Sequence, residues 1–286
     1  MILVTGATGQ LGRAVLHTLL AKSIPHDLAA LVRDPAKAAD LQAQGVSIRV
    51  GNYADPASLT QAMQGVTKVL LISGGGEDDA LQQHYNVVDA ARQAGVQCLA
   101  YTGRALKDPS TLTNELMKRH FQTEDYIKAS GLPHVFFRNV LYLDALPQFL
   151  GPQVLTTGIH LPAGSGKVAY ALRSEMGEAI ANVLLTSNCD NKVYSFTGGE
   201  AYSFHDVATA LTTLSGKPVD YAPLETSAFE SQLLSRGVPA FRIPLIVGFM
   251  TDIRNGQEEA VSTDLEQALG RKPKALQAGL KELFSF

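Results

Sequence analysis

The stretch Val4-Thr5-Gly6-Ala7-Thr8-Gly9-Gln10-Leu11-Gly12 constrains this chain more than any other. It follows a short apolar run, Ile2-Leu3-Val4, and opens a segment in which Leu11, Val15, Leu16, Leu19 and Leu20 share one helical face. Three glycines between a strand and a helix answer three steric needs. Gly6 allows a tight turn off the strand, Gly9 lets backbone N–H groups come close to a pyrophosphate, and Gly12 lets the helix lie against the sheet. The N–H groups of the first helical turn have no partner inside the helix and sit at the positive end of its dipole. A bare glycine turn is the alternative, but strand–turn–helix is the context that a dinucleotide cradle requires. Gly6, Thr8, Gly9, Gln10, Leu11 and Gly12 are therefore expected to hold the cofactor phosphates.

The rest of the first half continues the alternation. Short apolar runs at residues 2–5, 28–32, 46–50, 66–72, 97–102 and 134–137 separate helical patterns at 10–22, 35–44, 56–63, 79–94 and 112–130. Asp34-Pro35 and Asp55-Pro56 each place an N-cap acceptor before a proline at the first helical position. Gly45, Gly95 and Gly131 stand where helices end. Short connections and right-handed crossovers then predict an α/β fold, a Rossmann-type doubly wound parallel sheet. After about residue 140 the alternation becomes irregular. Helical patterns fall at 174–186, 203–215, 227–235 and 276–284, and short strands at 167–171, 192–197 and 218–221. Ser203–Asp206 and Ser227–Glu230 read as capping boxes. The expected organisation is a dinucleotide-binding domain over 1–140 and a smaller α+β substrate lobe over 141–286, with no clean linker between them.

The second strand indicates which dinucleotide. NAD sites commonly place an acid about 20 residues after the glycines, on the ribose 2′-hydroxyl. Here the strand ends Ala30-Leu31-Val32-Arg33, followed by Asp34-Pro35-Ala36-Lys37. A guanidinium pairs well with a phosphate dianion, so Arg33, helped by Lys37, predicts NADPH, against the plainer reading of a surface arginine at a strand end. Asn52 and Tyr53 follow the third strand and are candidates for the adenine pocket, or a turn residue and a packed tyrosine. Ser73-Gly74-Gly75-Gly76 follows the fourth strand and reads as a mobile loop beside the cofactor or as only a flexible connection.

The glycine spacing is G-x-x-G-x-x-G, which resembles the short-chain dehydrogenase/reductases, most of which carry Tyr-x-x-x-Lys. None of the 9 tyrosines here is followed by lysine four residues on. The helix that would bear the pair reads Asn114-Glu-Leu-Met-Lys-Arg-His120-Phe-Gln-Thr-Glu124, and with His120 at the lysine position the tyrosine position is Leu116. Together with the stretches at 5–12, 32–37, 100–102, 120–124, 137–142, 163–166 and 215–221, this resembles the NmrA-like, atypical branch of that superfamily. Within the branch it is most similar to bacterial NADPH-dependent quinone oxidoreductases and triphenylmethane-dye reductases. Gly103-Arg104 after Thr102 departs from the pattern and bears on the substrate more than on the cofactor.

The resemblance implies an oxidoreductase that transfers hydride from NADPH to a quinone or similar flat electrophile. Such an acceptor needs no strong acid, because the product phenolate is stabilised and water protonates it. Proximity and orientation then carry the reaction. His120, Asn139 and Tyr142 are the candidates around the reacting atoms: His120 to orient the nicotinamide ribose or act as a weak acid, against a helix-surface or packed histidine; Asn139 and Tyr142 to contact the carboxamide or stack on the substrate, against a buried tyrosine for Tyr142. Thr102, at the end of the fifth strand, and His120 join the expected cofactor contacts. Glu124 reads as a solvated helix charge or a partner of His120, Arg138 as a structural charge, and Phe149 and Phe241 as core or acceptor-pocket aromatics. The alternative is a non-catalytic NADP(H)-binding redox sensor acting through a protein partner. A sugar-nucleotide epimerase is weakened, since it normally relies on the missing pair.

Charge and composition narrow the partners. The net charge of −3 offers no basic excess for nucleic acid. No apolar run reaches the roughly 18 residues of a membrane span, the run at 243–250 included. The 7 histidines show no metal-ligand spacing, so no metal is expected. Met1 leads straight into the first strand without a basic or long apolar leader, which predicts a cytoplasmic protein. Cys98, in an apolar strand, reads as an inert buried thiol. The assembly state is open, a homodimer being one option.

Overall fold

The structure, a computed structural model, describes residues 1–74 and 79–286. Gly75 and Gly76 of the expected glycine loop lie outside the described residues. Within them β1 (Ile2–Val4), β2 (Leu28–Val32), β3 (Ser47–Val50), β4 (Lys68–Ile72), β5 (Cys98–Arg104), β6 (His134–Asn139) and, after a short β7 (Lys167–Val168), β8 (Lys192–Phe196) appear in chain order. All but β7 form one seven-stranded sheet, ordered β3-β2-β1-β4-β5-β6-β8, with every neighbouring pair parallel. The chain runs outward from β1 to β3 and then crosses back to β4. The order thus reverses at β1 and β4, where ligands of open α/β sheets bind.

The helices are α1 (Gln10–Lys22), α2 (Ala39–Ala43), α3 (Pro56–Ala62), α4 (Ala80–Gln93), α5 (Glu115–Ala129), α6 (Leu146–Leu150), α7 (Val154–Thr157), α8 (Arg173–Thr186), α9 (Phe204–Ser215), α10 (Thr226–Ser235), α11 (Ile243–Arg254), α12 (Asp264–Leu269) and α13 (Leu276–Phe284). Alternation along the strands feeds two cores. Val4, Ala30, Leu70, Ala100 and Phe137 pack with α1 and α8 on one face, while Leu3, Leu31, Leu71, Leu99 and Phe136 pack with α3, α4 and α5 on the other. Asp34 and Asp55 accept from the first N–H groups of the turns they open, and Gly45, Gly95 and Gly131 take positive φ where helices end.

The second half differs from the sequence pattern in several places. β8 lies beyond residue 140 and joins the main sheet, and α8 packs along α1, with a Cβ on Gly177 placed only 2.5 Å from the Ala14 Cβ. A division at residue 140 therefore does not follow the sheet. The remainder is helical, with β7 paired antiparallel to β9 (Tyr202–Ser203). Residues 218–221 form no strand; Tyr221 makes a single bridge to Ile159. Ser203 and Asp206 close their capping box, but α10 starts at Thr226, ahead of Ser227, and carries no side-chain cap. The apolar run at 243–250 is part of α11, and no helix among the described residues is long and apolar enough to cross a membrane.

Cys98 is not a free thiol. It is disulfide-bonded to Cys189, 91 residues on, the Cα atoms 5.6 Å apart. The turn after α8, with Cys189 and Asn191 at positive φ, brings the second sulfur to the first residue of β5.

Candidate active site

A cavity of about 750 Å³ opens beyond the carboxyl ends of β1, β2, β3 and β4. Its floor is the first glycine loop. Gly6 takes a φ of +58°, which favours glycine, and its carbonyl accepts from Gly9 N–H at 3.0 Å. A Cβ on Gly12 would lie 2.3 Å from the Gly6 carbonyl oxygen, so only glycine allows α1 to start so near the loop. Gly9 is the N-cap of α1 and offers no side-chain cap. The first N–H groups of α1 are thus left for a ligand.

Of the residues expected to bind cofactor, Gly6, Thr8, Gly9, Arg33, Lys37, Asn52, Tyr53, Ser73 and Gly74 all line this cavity. Gln10, Leu11 and Gly12 do not; Leu11 is buried and Gly12 is packed against the loop, so what these residues can offer is backbone N–H. Arg33 and Lys37 stand exposed at the end of β2. Arg13 also reaches the cavity, but its guanidinium is tied to Asp40 at 2.5 Å and to the Lys37 carbonyl at 2.8 Å. The Tyr53 hydroxyl bonds Thr5 Oγ1 and the Ile72 carbonyl, and burial pushes its pKa up, so it is a fixed neutral wall of the cavity.

The far wall is held by hydrogen bonds from behind. Thr102 does not line the cavity; its Oγ1 accepts Ser73 N–H at 2.9 Å and so anchors the chain after β4. Gly74 N–H donates to His84 Nε2 at 3.1 Å, which leaves the ring proton on Nδ1, 2.9 Å from Thr123 Oγ1. Thr123 passes its own proton to the Arg119 carbonyl at 3.0 Å. Burial pushes His84 down to about 4, in keeping with this neutral tautomer.

His120, Asn139 and Tyr142 do not line this cavity: His120 is on α5, Asn139 is the last residue of β6, and Tyr142 follows β6. His120 Nδ1 is 2.9 Å from the hydroxyl of Tyr101, a fully buried residue of β5. Burial, with Arg104 and His84 nearby, pushes His120 down to about 3. It is therefore a neutral imidazole at physiological pH, able to orient a group through Nε2 but not to act as an imidazolium acid. Asn139 is buried and donates from Nδ2 to the Tyr142 hydroxyl at 3.4 Å. The Tyr142 ring carries the Arg173 guanidinium 4.2 Å above it.

Two expectations are corrected here. Glu124 is neither solvated nor bonded to His120: it is buried and accepts from Arg138 Nε and Nη2 at 2.9 and 2.6 Å. Arg138 is the structural charge it was read to be. Phe241 is 72% exposed and so is no core residue, and it does not line the cavity above, while Phe149 packs against the core.

The family model for the NmrA-like family matches residues 1–284. This chain belongs to the NmrA-like family. It is 36% identical to quinone oxidoreductase 2 of Escherichia coli, over 100% of this chain and 99% of that protein. The crystal structure of an E. coli NADPH-dependent quinone oxidoreductase complexed with NADPH superposes with a TM-score of 0.94 at 34% identity, covering 99% of this chain and 100% of that one. Citrobacter sp. triphenylmethane reductase complexed with NADP(H) superposes with a TM-score of 0.93 at 36% identity, again over 99% and 100%.

In this NmrA-like chain some cavity residues have no signature in the sequence. Gly51 follows β3, and Ala80 and Gln83 come from the first turn of α4. Only the fold brings them beside the glycine loop. Arg13 does carry a signal: a cation in the first turn of a helix opposes the dipole, so it needs a compensating partner nearby.

Proposed function

We propose that this protein is an NADPH-dependent oxidoreductase that delivers hydride to a quinone or a similarly flat electrophilic acceptor. One observation carries the cofactor half of this reading: a single cavity runs from Gly6, Thr8 and Gly9 of the glycine loop, which leads into α1, to Arg33 and Lys37 just after β2. Donors at these two ends suit a pyrophosphate at one and a ribose 2′-phosphate at the other. Gly6, Thr8, Gly9 and the N–H groups of Gln10, Leu11 and Gly12 would hold the pyrophosphate. Asn52 and Tyr53 would bound the adenine, while Ser73, Gly74 and Thr102 would shape the wall toward the nicotinamide. When bound, NADPH supplies the hydride.

The chain's own residues then orient the reactants and exclude water. His120, held by Tyr101, offers Nε2 to the nicotinamide ribose. Asn139 and Tyr142 bound the acceptor, with the Tyr142 ring as a stacking surface. No group here is an acid of the Tyr–Lys kind, which suits an acceptor whose reduced oxygen is a weakly basic phenolate. The likeness to the quinone and triphenylmethane-dye reductases supports the same acceptor class. Residues 141–286, apart from α8 and β8, are assigned to the acceptor side, and the protein to the cytoplasm.

The test is NADPH consumption with 1,4-benzoquinone, corrected for the reaction without protein. A protein-dependent rate is expected. NADPH binding without any rate, over a quinone and dye panel, would overturn the reading. A strong preference for one redox state of the cofactor would then favour the sensor, because a sensor requires such differential affinity.

A further inference from the structure

Arg104 ends β5, directly across from Asn139 in the β5–β6 register, and strand alternation points both side chains to the α1/α8 face. Its side chain is 9% exposed. Nη2 pairs with Glu258 Oε1, while Glu258 Oε2 accepts Leu141 N–H at 3.1 Å. Glu258 is itself buried, so the pair is a fixed, locally neutral unit.

The surroundings are unusual. Among the described residues, the buried side-chain atoms without a hydrogen-bond partner are Arg104 Nε, Asn139 Oδ1, the Tyr170 hydroxyl and Asp252 Oδ2. Two of them belong to Arg104 and its strand neighbour, and the other two lie within electrostatic range of Glu258. Asn139 is the register partner of Arg104, and Tyr170 and Asp252 are close enough to interact with the Glu258 charge. His120 in turn lies within the field of Arg104. A buried polar group left unpaired is costly, and several at one place point to a ligand that completes them. The place is the carboxyl end of two sheet strands, where this fold puts its reactants.

We propose that Arg104 is a substrate-binding residue: its Nε–H donates to a carbonyl oxygen of the acceptor and remains on that oxygen as it gains charge. The proposal rests on the quinone-reductase reading. In the reaction NADPH is oxidised and the quinone reduced; the quinone gains a hydride and becomes the hydroquinone monoanion, whose second proton comes from water. A pre-placed donor aimed at that oxygen needs no reorganisation as charge develops. Glu258 is the positioning residue, fixing the guanidinium through Nη2 so that Nε stays free. Arg104 thereby occupies the electrophilic role left open by the missing tyrosine, without being an acid. A cationic dye acceptor develops no oxyanion and gains nothing from it.

The test uses a ligand that cannot be reduced by hydride under the assay conditions. 4-Nitrophenol is bound to the full protein saturated with NADP⁺, and its ionisation is followed by phenolate absorbance. In the wild type the bound phenolate-to-phenol ratio is expected to rise about tenfold over solution, a shift of about one pH unit. Arg104→Met alone strands the buried Glu258 carboxylate, so Arg104→Met is combined with Glu258→Gln. The double variant, checked for NADPH binding, is expected to lose the shift. Its ratio of quinone to cationic-dye kcat is expected to fall by roughly 100-fold. A wild type that leaves 4-nitrophenol unbound or unshifted, a double variant that titrates like the wild type, or quinone and dye rates that fall in step would each overturn the role of Arg104. Absence of any quinone rate in the wild type would instead overturn the proposed function, and the nitrophenol titration separates the two failures.

Discussion

Glu124 and Arg138 meet across the contact between α5 and β6, the guanidinium donating from Nε and Nη2 to the two oxygens of a carboxylate that is 1% exposed. A Cβ on Gly103 would stand 3.1 Å from Glu124 Oε1, so the end of β5 is shaped to admit the pair. Two parallel hydrogen bonds make this the strong form of the interaction, and they hold Arg138 above its ordinary value. Arg138→Met leaves a buried carboxylate without a partner and is expected to cost about 3–5 kcal/mol, read as a lower urea midpoint. Glu124→Gln removes the buried charge instead and is expected to cost less. Equal losses for the two would show that the carboxylate is not the buried liability described.

The two buried histidines give the fold an acid sensitivity. Both lie below the ordinary value of 6.5, His84 at about 4 and His120 at about 3. The unfolded chain therefore takes up protons first as pH falls through 6.5, and stability declines from there down toward the folded values. At pH 5 each contributes a loss of about 2 kcal/mol. The decline between pH 7 and pH 5 is expected to flatten in the His84→Gln/His120→Gln variant. Denaturant titrations at the two pH values measure it, and an unchanged slope would remove the histidines from the account.

The glycine loop separates folding from binding. A Cβ on Gly12 collides with backbone at 2.3 Å, whereas one on Gly9 meets only the Gly6 carbonyl oxygen, at 3.3 Å. Gly12→Ala is expected to lower the thermal midpoint by several degrees, with a cost in the overpacking range of about 1–3 kcal/mol. Gly9→Ala is expected to hold its midpoint better while binding NADPH more weakly, since its methyl group would project from the loop proposed to hold the pyrophosphate. Differential scanning fluorimetry with and without NADPH distinguishes the two, and identical behaviour would sink the division of roles.

The ease of reading this chain follows the range of its interactions. The glycine loop, the Asp-Pro helix starts and the Arg33 position are local: each depends on residues a few positions apart, and each is found where its pattern put it. The sheet was equally legible, because fully buried parallel strands are short apolar runs between amphipathic helices. What escaped is long-range. Glu124 on a helix surface pattern gave no hint of Arg138, which reaches it only because β6 lies behind α5. Arg104 and Glu258 are separated by 154 residues, and Cys98 and Cys189 by 91. β8 looked like part of a second lobe because irregular sequence precedes it; its parallel register with β6 is a tertiary choice.

The disulfide makes stability depend on redox state. It closes a long loop through β5, α5, β6 and α8, and such a link restricts the unfolded chain by roughly 2–4 kcal/mol. Dithiothreitol is expected to lower the thermal midpoint of the wild type by several degrees and to leave Cys98→Ser/Cys189→Ser unmoved. A reducing cytoplasm would hold the pair as thiols, so thiol titration of denatured protein, prepared without reductant, tells which form the cell delivers. A wild type indifferent to reductant would argue against the bond.

Arg33 is the residue proposed to set the cofactor preference. It makes no hydrogen bond or ion pair among the described residues, stands exposed at the end of β2, and shares the rim of the cavity with Lys37. Asp34 beside it is engaged as a cap, its Oδ1 accepting Ala36 N–H at 3.0 Å, so it is not aimed at a ribose hydroxyl. A free guanidinium with no competing carboxylate partner is suited to a phosphate dianion. Hydrogen bonds to a charged group contribute about 1.5–3 kcal/mol, so Arg33→Ala is expected to weaken NADPH roughly 10- to 100-fold. NADH lacks the 2′-phosphate and is expected to change by less than about threefold, within the usual range for a lost exposed contact. Lys37→Ala should act in the same direction but more weakly, since an ammonium makes a single, flexible contact. Fluorescence titrations with both nucleotides measure the ratio. Equal weakening of NADPH and NADH by Arg33→Ala would mean that Arg33 supports the site as a whole rather than reading the 2′-phosphate.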